Sequence, residues 1–281
     1  MRFLDNVMND FIERAPDEFA HAKYSAMRER SVGLGVMGLH SYFQKKNIPF
    51  GSVMSKVWNK KVFKNIQEKV DAASKSLAEE RGACPDAEEY GMKERFSNKT
   101  AIAPTASISI ICGGSSPGIE PIAANSYTHK TLSGSFNVRN KYLKKILSKY
   151  KKDTDDVWSS ITTNQGSVSH LDFLTAEEKD TFKTAFEIDQ RWIVELGADR
   201  TPHISQAQSI NIFIPADIHK KDLHNLHFQA WKKGPAATTP EAKVASVMRS
   251  RAETRARISL SAPSAGGSVQ GYVQALLGVL T

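Results

Sequence analysis

Apolar residues recur along this chain at two spacings. Near the start, Phe3, Leu4, Val7, Met8, Phe11 and Ile12 step by three and four, the spacing of one helix face, and Pro16 ends or restarts that helix. The spacing returns over residues 55–80. There Trp58, Val62, Ile66 and Val70 step by four, and Phe63, Ala73 and Leu77 widen the stripe. Gly82 offers a left-handed stop, with Pro85 just beyond. Over residues 141–152, Leu143, Ile146, Leu147 and Tyr150 share one face, with lysines opposite. Thr175-Ala176-Glu177-Glu178 is a capping box; it opens a helix carrying Phe182, Ala185, Phe186, Ile193 and Leu196, closed by Gly197. A last helix, residues 217–233, takes Leu223, Leu226, Phe228, Ala230 and Trp231 as its apolar members.

The second spacing is two. Ile210, Ile212 and Ile214 alternate with Ser209, Asn211 and Phe213 and stop at Pro215, which predicts a strand. Its polar face, with Gln206 and Gln208 leading in, either meets a ligand or satisfies backbone and water. Ser-Ile alternation over residues 107–111 reads as a buried strand on the same grounds. Residues 159–170 form a turn-rich connector, and Ser133-Gly134-Ser135 is a turn within 127–140. Gly33, Gly35 and Gly38 have the wrong spacing for a dinucleotide loop, so close backbone packing accounts for them better. Together these elements make a mixed α/β protein.

Charge and composition narrow the classes. The net charge of +8 invites a polyanionic partner, but the densest basic run lies on the wet face of the 141–152 helix. With no zinc pattern and no interleaved Arg and aromatic residues, nucleic acid is not expected as a partner. No apolar run is long enough for a bilayer, and Met1-Arg2-Phe3-Leu4-Asp5 turns acidic too early for a secretory signal. Two cysteines, Cys84 and Cys112, give no disulfide framework, which fits a reducing, cytoplasmic setting; both read as structural. His129, His224 and His227 have no partners at metal-ligand spacing. The first helix has no capping residue before it, as expected of a larger polypeptide cut at this point.

The candidate chemistry lies in residues 101–121. Pro104-Thr105-Ala106-Ser107-Ile108-Ser109 sets small and hydroxyl side chains in sequence; Gly113-Gly114 and Pro117-Gly118 then permit turns. Small residues let backbone N–H groups approach an anion, and a helix N-terminus aimed at it needs no cationic side chain. A phosphate cradle and a buried strand both satisfy this stretch.

Pro104-Thr105-Ala106-Ser107, then Gly118-Ile119-Glu120-Pro121, then Tyr127-Thr128-His129-Lys130-Thr131-Leu132-Ser133-Gly134-Ser135-Phe136 resembles the large subunit of class I ribonucleotide reductase. The resemblance runs over residues 1–234. It implies the C-terminal part of a ten-stranded α/β barrel, incomplete here, in which Thr105, Ala106, Ser107 and Ile108 hold the substrate's diphosphate and Pro104 and Ser109 flank them. It also implies ribonucleoside diphosphate as substrate and a small subunit carrying a metal–radical cofactor, with no cofactor held by this chain. The thiyl cysteine and the redox pair of the family would lie upstream of Met1, on an N-terminal large-subunit fragment, and the chain alone is expected to be inactive. A stand-alone phosphate- or nucleotide-binding module, a non-functional gene fragment and a cobalamin-dependent reductase are the alternatives.

After Gly234 the composition changes. Residues 235–281 hold one aromatic, Tyr272, and are rich in Ala, Ser, Gly, Val and Arg. Where the family carries a Tyr pair, this chain reads Ala237-Thr238-Thr239-Pro240-Glu241-Ala242-Lys243. Codons for these residues can read Tyr-Tyr in another frame. A frameshifted, poorly packed end is therefore expected, against a genuine low-complexity tail.

Overall fold

The apolar stripe at the start becomes α1 (Arg2–Arg14), and Ala15 takes extended backbone ahead of Pro16. The computed structural model describes residues 1–131, 134–215, 218–234, 244–249 and 255–260. After α2 (Ala20–Glu29) and α3 (Leu39–Lys45), the long stripe forms α4 (Val53–Arg81). Ser52 and Ser55 cap α4 reciprocally. Gly82 follows with φ +84° and ψ 152°, so the stop is glycine-specific but not left-handed helical. Cys84 is buried at the entrance of α5 (Pro85–Glu89).

Two expected elements differ in kind. Residues 107–111 belong to a helix, α6 (Ala106–Ile111), closed by Ser109 N–H to Thr105 O and Cys112 N–H to Ile108 O. So short a Ser-Ile alternation fits either period, and among the described residues no strand pairs with it to favour two. The 159–170 connector is helical as far as Thr163, within α8 (Asp155–Thr163). The hairpin β1 (Ser126–Thr131) and β2 (Gly134–Arg139) pairs Thr131 with Gly134, so Gly134 and Ser135 sit in a strand, and Leu132 and Ser133 lie outside the described residues. Then come α7 (Lys141–Lys149), α9 (Ala176–Thr181) and α10 (Arg191–Arg200). The capping box at Thr175 and Glu178 is present, but α9 and α10 are separate helices. Between them Glu187 accepts from the amide and hydroxyl of Thr184, a local bond that competes with helix continuation. Gly197 lies inside α10 and is buried there.

The last part holds β3 (Ile214–Pro215), α11 (Lys220–Lys233), β4 (Val244–Arg249) and β5 (Arg255–Leu260). β5 pairs antiparallel with both β3 and β4. Residues 235–243, where the frame change is expected, lie outside the described residues. Ile210, Ile212 and Ile214 are buried as the alternation predicts. On α11, Leu226 and Ala230 are buried, while Phe228 and Trp231 stand 51% and 62% exposed, against the expectation that they join the apolar face.

Three short extended segments run parallel at the centre. Residues 32–34 and 206–209 flank 98–102, with bridges from Leu34 to Thr100 and from Ile102 to Gln208. Gly35 permits the approach: a Cβ there would lie 2.7 Å from Ala101 O. The three segments are a ribbon; a closed ten-stranded barrel is not seen among the described residues. Around the ribbon pack Phe43, Phe50, Phe63, Ile102, Ile119 and Val194, among others, each full burial stabilising by about 1.5–3 kcal/mol. A second cluster joins Leu143, Leu147, Trp158, Ile161 and Phe182, and a third joins Leu4, Met8, Leu77 and Phe96.

α1 is also fixed by charge. Asp5 is fully buried and takes Arg30 at 2.6 Å, Arg81 at 2.7 Å and Arg95 at 2.9 Å. Burial opposes its ionisation, but hydrogen bonds from Arg95, Arg30 and Arg81 outweigh that and hold the carboxyl below its ordinary pKa.

Candidate functional site

The central extended segment leaves the core at Pro104. Thr105 follows in the left-handed region, φ +49° and ψ +31°, an unusual place for a β-branched residue. Its side chain does not cap α6; instead Oγ1 accepts from Gly118 N–H at 2.7 Å. The first-turn amides of α6, on Ala106, Ser107 and Ile108, therefore have no capping side chain, although four such donors are left over at any helix start. Pro104, Ala106 and Ser107 are exposed, Thr105 and Ile108 half-buried and Ser109 buried. Ser109 turns its hydroxyl to Ala106 O at 2.8 Å. The six residues stay together in one bend that opens outward rather than into a sealed interior. At the other end of the helix the Lys141 ammonium donates to Gly113 O at 3.1 Å, a cation where the helix dipole is negative.

The bend is held from behind by residues 115–118. Ser115 N–H donates to Ser109 O at 3.1 Å. Ser116 and Ser41 exchange bonds: Ser116 N–H to Ser41 Oγ at 2.8 Å, and Ser41 N–H to Ser116 Oγ at 3.1 Å. Gly38 N–H donates to Ser116 O and Leu39 N–H to Gly118 O. Gly118 has φ +44°, and a Cβ on it would meet Ala103 O at 2.9 Å; the contact requires glycine. Beside this, His40 is fully buried, and its Nδ1 accepts from Ile122 N–H at 3.0 Å. Burial drives its pKa down to about 3, against a smaller opposing effect from a hydrogen bond with the Thr181 backbone, so the ring is neutral.

A cleft of about 350 Å³ lies between α6 and the β1–β2 hairpin. Ala106 and Ser109 border it; Pro104, Thr105, Ser107 and Ile108 do not. Its rim carries an amide cluster, with Asn140 Nδ2 donating to Gln44 Oε1 at 3.0 Å and to Asn125 Oδ1 at 2.8 Å.

The polar residues leading into the strand predicted over residues 210–214 are mainly structural. Gln206 donates to Val32 O at 2.7 Å. Gln208 donates to Thr201 Oγ1 at 2.7 Å and accepts from Arg200 at 2.6 Å. Arg200, which sequence reasoning missed, is 1% exposed, lies over the Phe63 ring and also donates to Asn59. Burial lowers its pKa to about 9, which leaves it charged at neutral pH. Cys112 is exposed just past α6, and burial pushes the Cys84 thiol up. Among the described residues no group of three or more His, Cys, Asp and Glu is placed to hold a metal ion, and no helix is long and apolar enough to cross a membrane.

Comparison with known proteins adds to this geometry. The family described as "Ribonucleotide reductase, barrel domain" matches residues 1–94 and 86–239. The ribonucleoside-diphosphate reductase large subunit of Invertebrate iridescent virus 6 is 47% identical over 238 residues, which are 83% of this chain and 25% of that protein. The large subunit of Invertebrate iridescent virus 3 is 43% identical over 235 residues, 83% of this chain and 37% of that protein. The structure of the Actinobacillus ureae class Id ribonucleotide reductase alpha subunit superimposes with a TM-score of 0.76 at 40% identity, covering 83% of this chain and 43% of that one. The chain thus spans less than half the length of each of these relatives.

Proposed function

The chain belongs to the ribonucleotide reductase barrel-domain family, and from that premise we propose that the bend from Pro104 to Ser109 binds the diphosphate of a ribonucleoside diphosphate. The observation that carries this is the uncapped first turn of α6, open to solvent and directly preceded by the central extended segment. Amides of Ala106, Ser107 and Ile108 and the Ser107 hydroxyl would donate to phosphate oxygens. Thr105 Oγ1 is committed to Gly118, so its part is to set the backbone rather than to reach the ligand.

The bend holds and orients; it breaks no bond. Fixing the diphosphate removes translational and rotational freedom from the ribose that follows it. Reduction of that ribose is proposed to require the remaining large-subunit segments, carried on an N-terminal fragment, and a small subunit. That small subunit would supply a radical from its metal–radical cofactor. Cys84, buried at the start of α5, is not placed to act as a redox thiol at the bend.

Calorimetric titration of the chain with cytidine diphosphate and with cytidine tests the reading. Binding of the diphosphate at least tenfold tighter than the nucleoside is expected. Ser107→Asp should abolish that difference, because a carboxylate in the first turn repels the ligand, yet it should leave the melting temperature unchanged or raised. Equal binding of the two ligands by the unsubstituted chain would refute it.

A further inference from the structure

We propose that Ser41 and Ser116 are positioning residues for the diphosphate loop, acting through residues 115–118; their role presupposes that the loop holds a diphosphate. α6 cannot place itself. It has six residues, too few for an isolated helix to persist. Of its side chains only Ser109 is buried, while Ile110 and Ile111 are 41% and 83% exposed. Apolar packing therefore does not decide where its first turn points.

Hydrogen bonds decide it, and they converge on one short segment. From residues 115–118, Gly118 N–H reaches the residue before the helix, Thr105, and Ser115 N–H reaches Ser109 inside it. Both ends of the helix's first turn thus hang from the same four residues. That segment is fixed on its far side to the start of α3, by Gly38, Leu39 and the reciprocal pair Ser41–Ser116. Ser116 is 0% exposed, so water cannot replace its hydroxyl without entering the core; Ser41 is 6% exposed and borders the cleft. The path from the pair to the loop is Ser41, Ser116, Gly118, Thr105. Along this path Ser116 lies one hydrogen bond from the Thr105 hydroxyl and Ser41 two, while Ser41 also borders the cleft beside Ala106 and Ser109.

The test is pyrophosphate affinity, measured by titration calorimetry on the full 281-residue chain beside its thermal melt. Ser41→Ala and Ser116→Ala are each expected to remain folded and to weaken pyrophosphate binding by roughly tenfold. Thr105→Val is expected to weaken it similarly, and Ser116→Ala added to Thr105→Val to weaken it little further, because both act through Gly118. A purely structural role would lower the melting temperature and leave the affinity of the folded protein unmoved. Folded Ser116→Ala binding pyrophosphate as tightly as the unsubstituted chain would overturn the positioning role while leaving the diphosphate reading standing. An unsubstituted chain that binds no pyrophosphate would instead overturn the diphosphate reading, and the pair's role with it. Should Ser116→Ala fail to fold, unchanged affinity in folded Thr105→Val overturns the proposal equally.

Discussion

Two short helices near the same cleft, α6 and α7, are built in opposite ways. α7 is capped: Asn140 Oδ1 accepts from the amides of Tyr142 and Leu143. It is also anchored, with Leu143 and Leu147 fully buried against Trp158 and Ile161. α6 has neither support. Its cap residue turns away to Gly118, Ile110 and Ile111 are exposed, and backbone bonds from a neighbouring segment hold it in place. The contrast separates stability from use. A helix start that is already capped has fewer donors left for an anion: Asn140 takes two of those of α7. One that is to bind an anion must leave them open and take its support from elsewhere.

The largest effect expected from breaking this comparison is in the core under α7. Leu147→Ala should destabilise by about 3 kcal/mol in urea unfolding, with ligand binding at α6 retained by the folded fraction. A loss well below that would mean that α7 is not held by its apolar face.

Acid should act on the other side, through His40 in α3. Its folded-state pKa of about 3 lies below the ordinary 6.5, so the native state binds fewer protons than the unfolded one. The stability it contributes is complete above pH 6.5 and is lost as the pH falls from 6.5 towards 3. Between pH 6.5 and 5 the loss is about 2 kcal/mol. Denaturant melts across that window should show the slope, and His40→Gln should flatten it; an unchanged slope would place the acid sensitivity elsewhere.

The smallest effect is on α6 itself. Ile111→Ser should change stability by no more than about 0.5 kcal/mol, since the side chain is 83% exposed. A larger cost would mean that apolar packing holds the loop after all.

Periodicity carried the long elements well. α1, α4 and α7 stand close to where their apolar stripes predict them, because each buries a face long enough to define a period. It failed where the segment is short or the support is not apolar. Ser107-Ile108-Ser109-Ile110 fits a strand as well as a helical turn, and the bonds that tether it as a helix come in part from residues 115–118. The parallel ribbon was invisible, since 32–34 and 98–102 hold only a few residues each and pair across long sequence gaps. Phe228 and Trp231 were misplaced because helical spacing cannot say whether a neighbour covers the face. Of the candidate site, the sequence singled out residues 104–109 through the Pro-Thr-Ala-Ser string and its companion motifs, and these six stay together in one bend. Its geometry was not: the Ser41–Ser116 pair joins segments 75 residues apart in sequence, and the αL turn at Thr105 is tied to Gly118, 13 residues on.

The most direct measurement is of individual amides. In nitrogen–proton correlation spectra of the chain titrated with cytidine diphosphate, the amides of Ala106, Ser107 and Ile108 should shift in a saturable way, while those of Tyr142 and Leu143, already bonded to Asn140, should stay in place. Saturable binding that leaves the α6 amides unmoved, or moves those of α7 instead, would contradict the account.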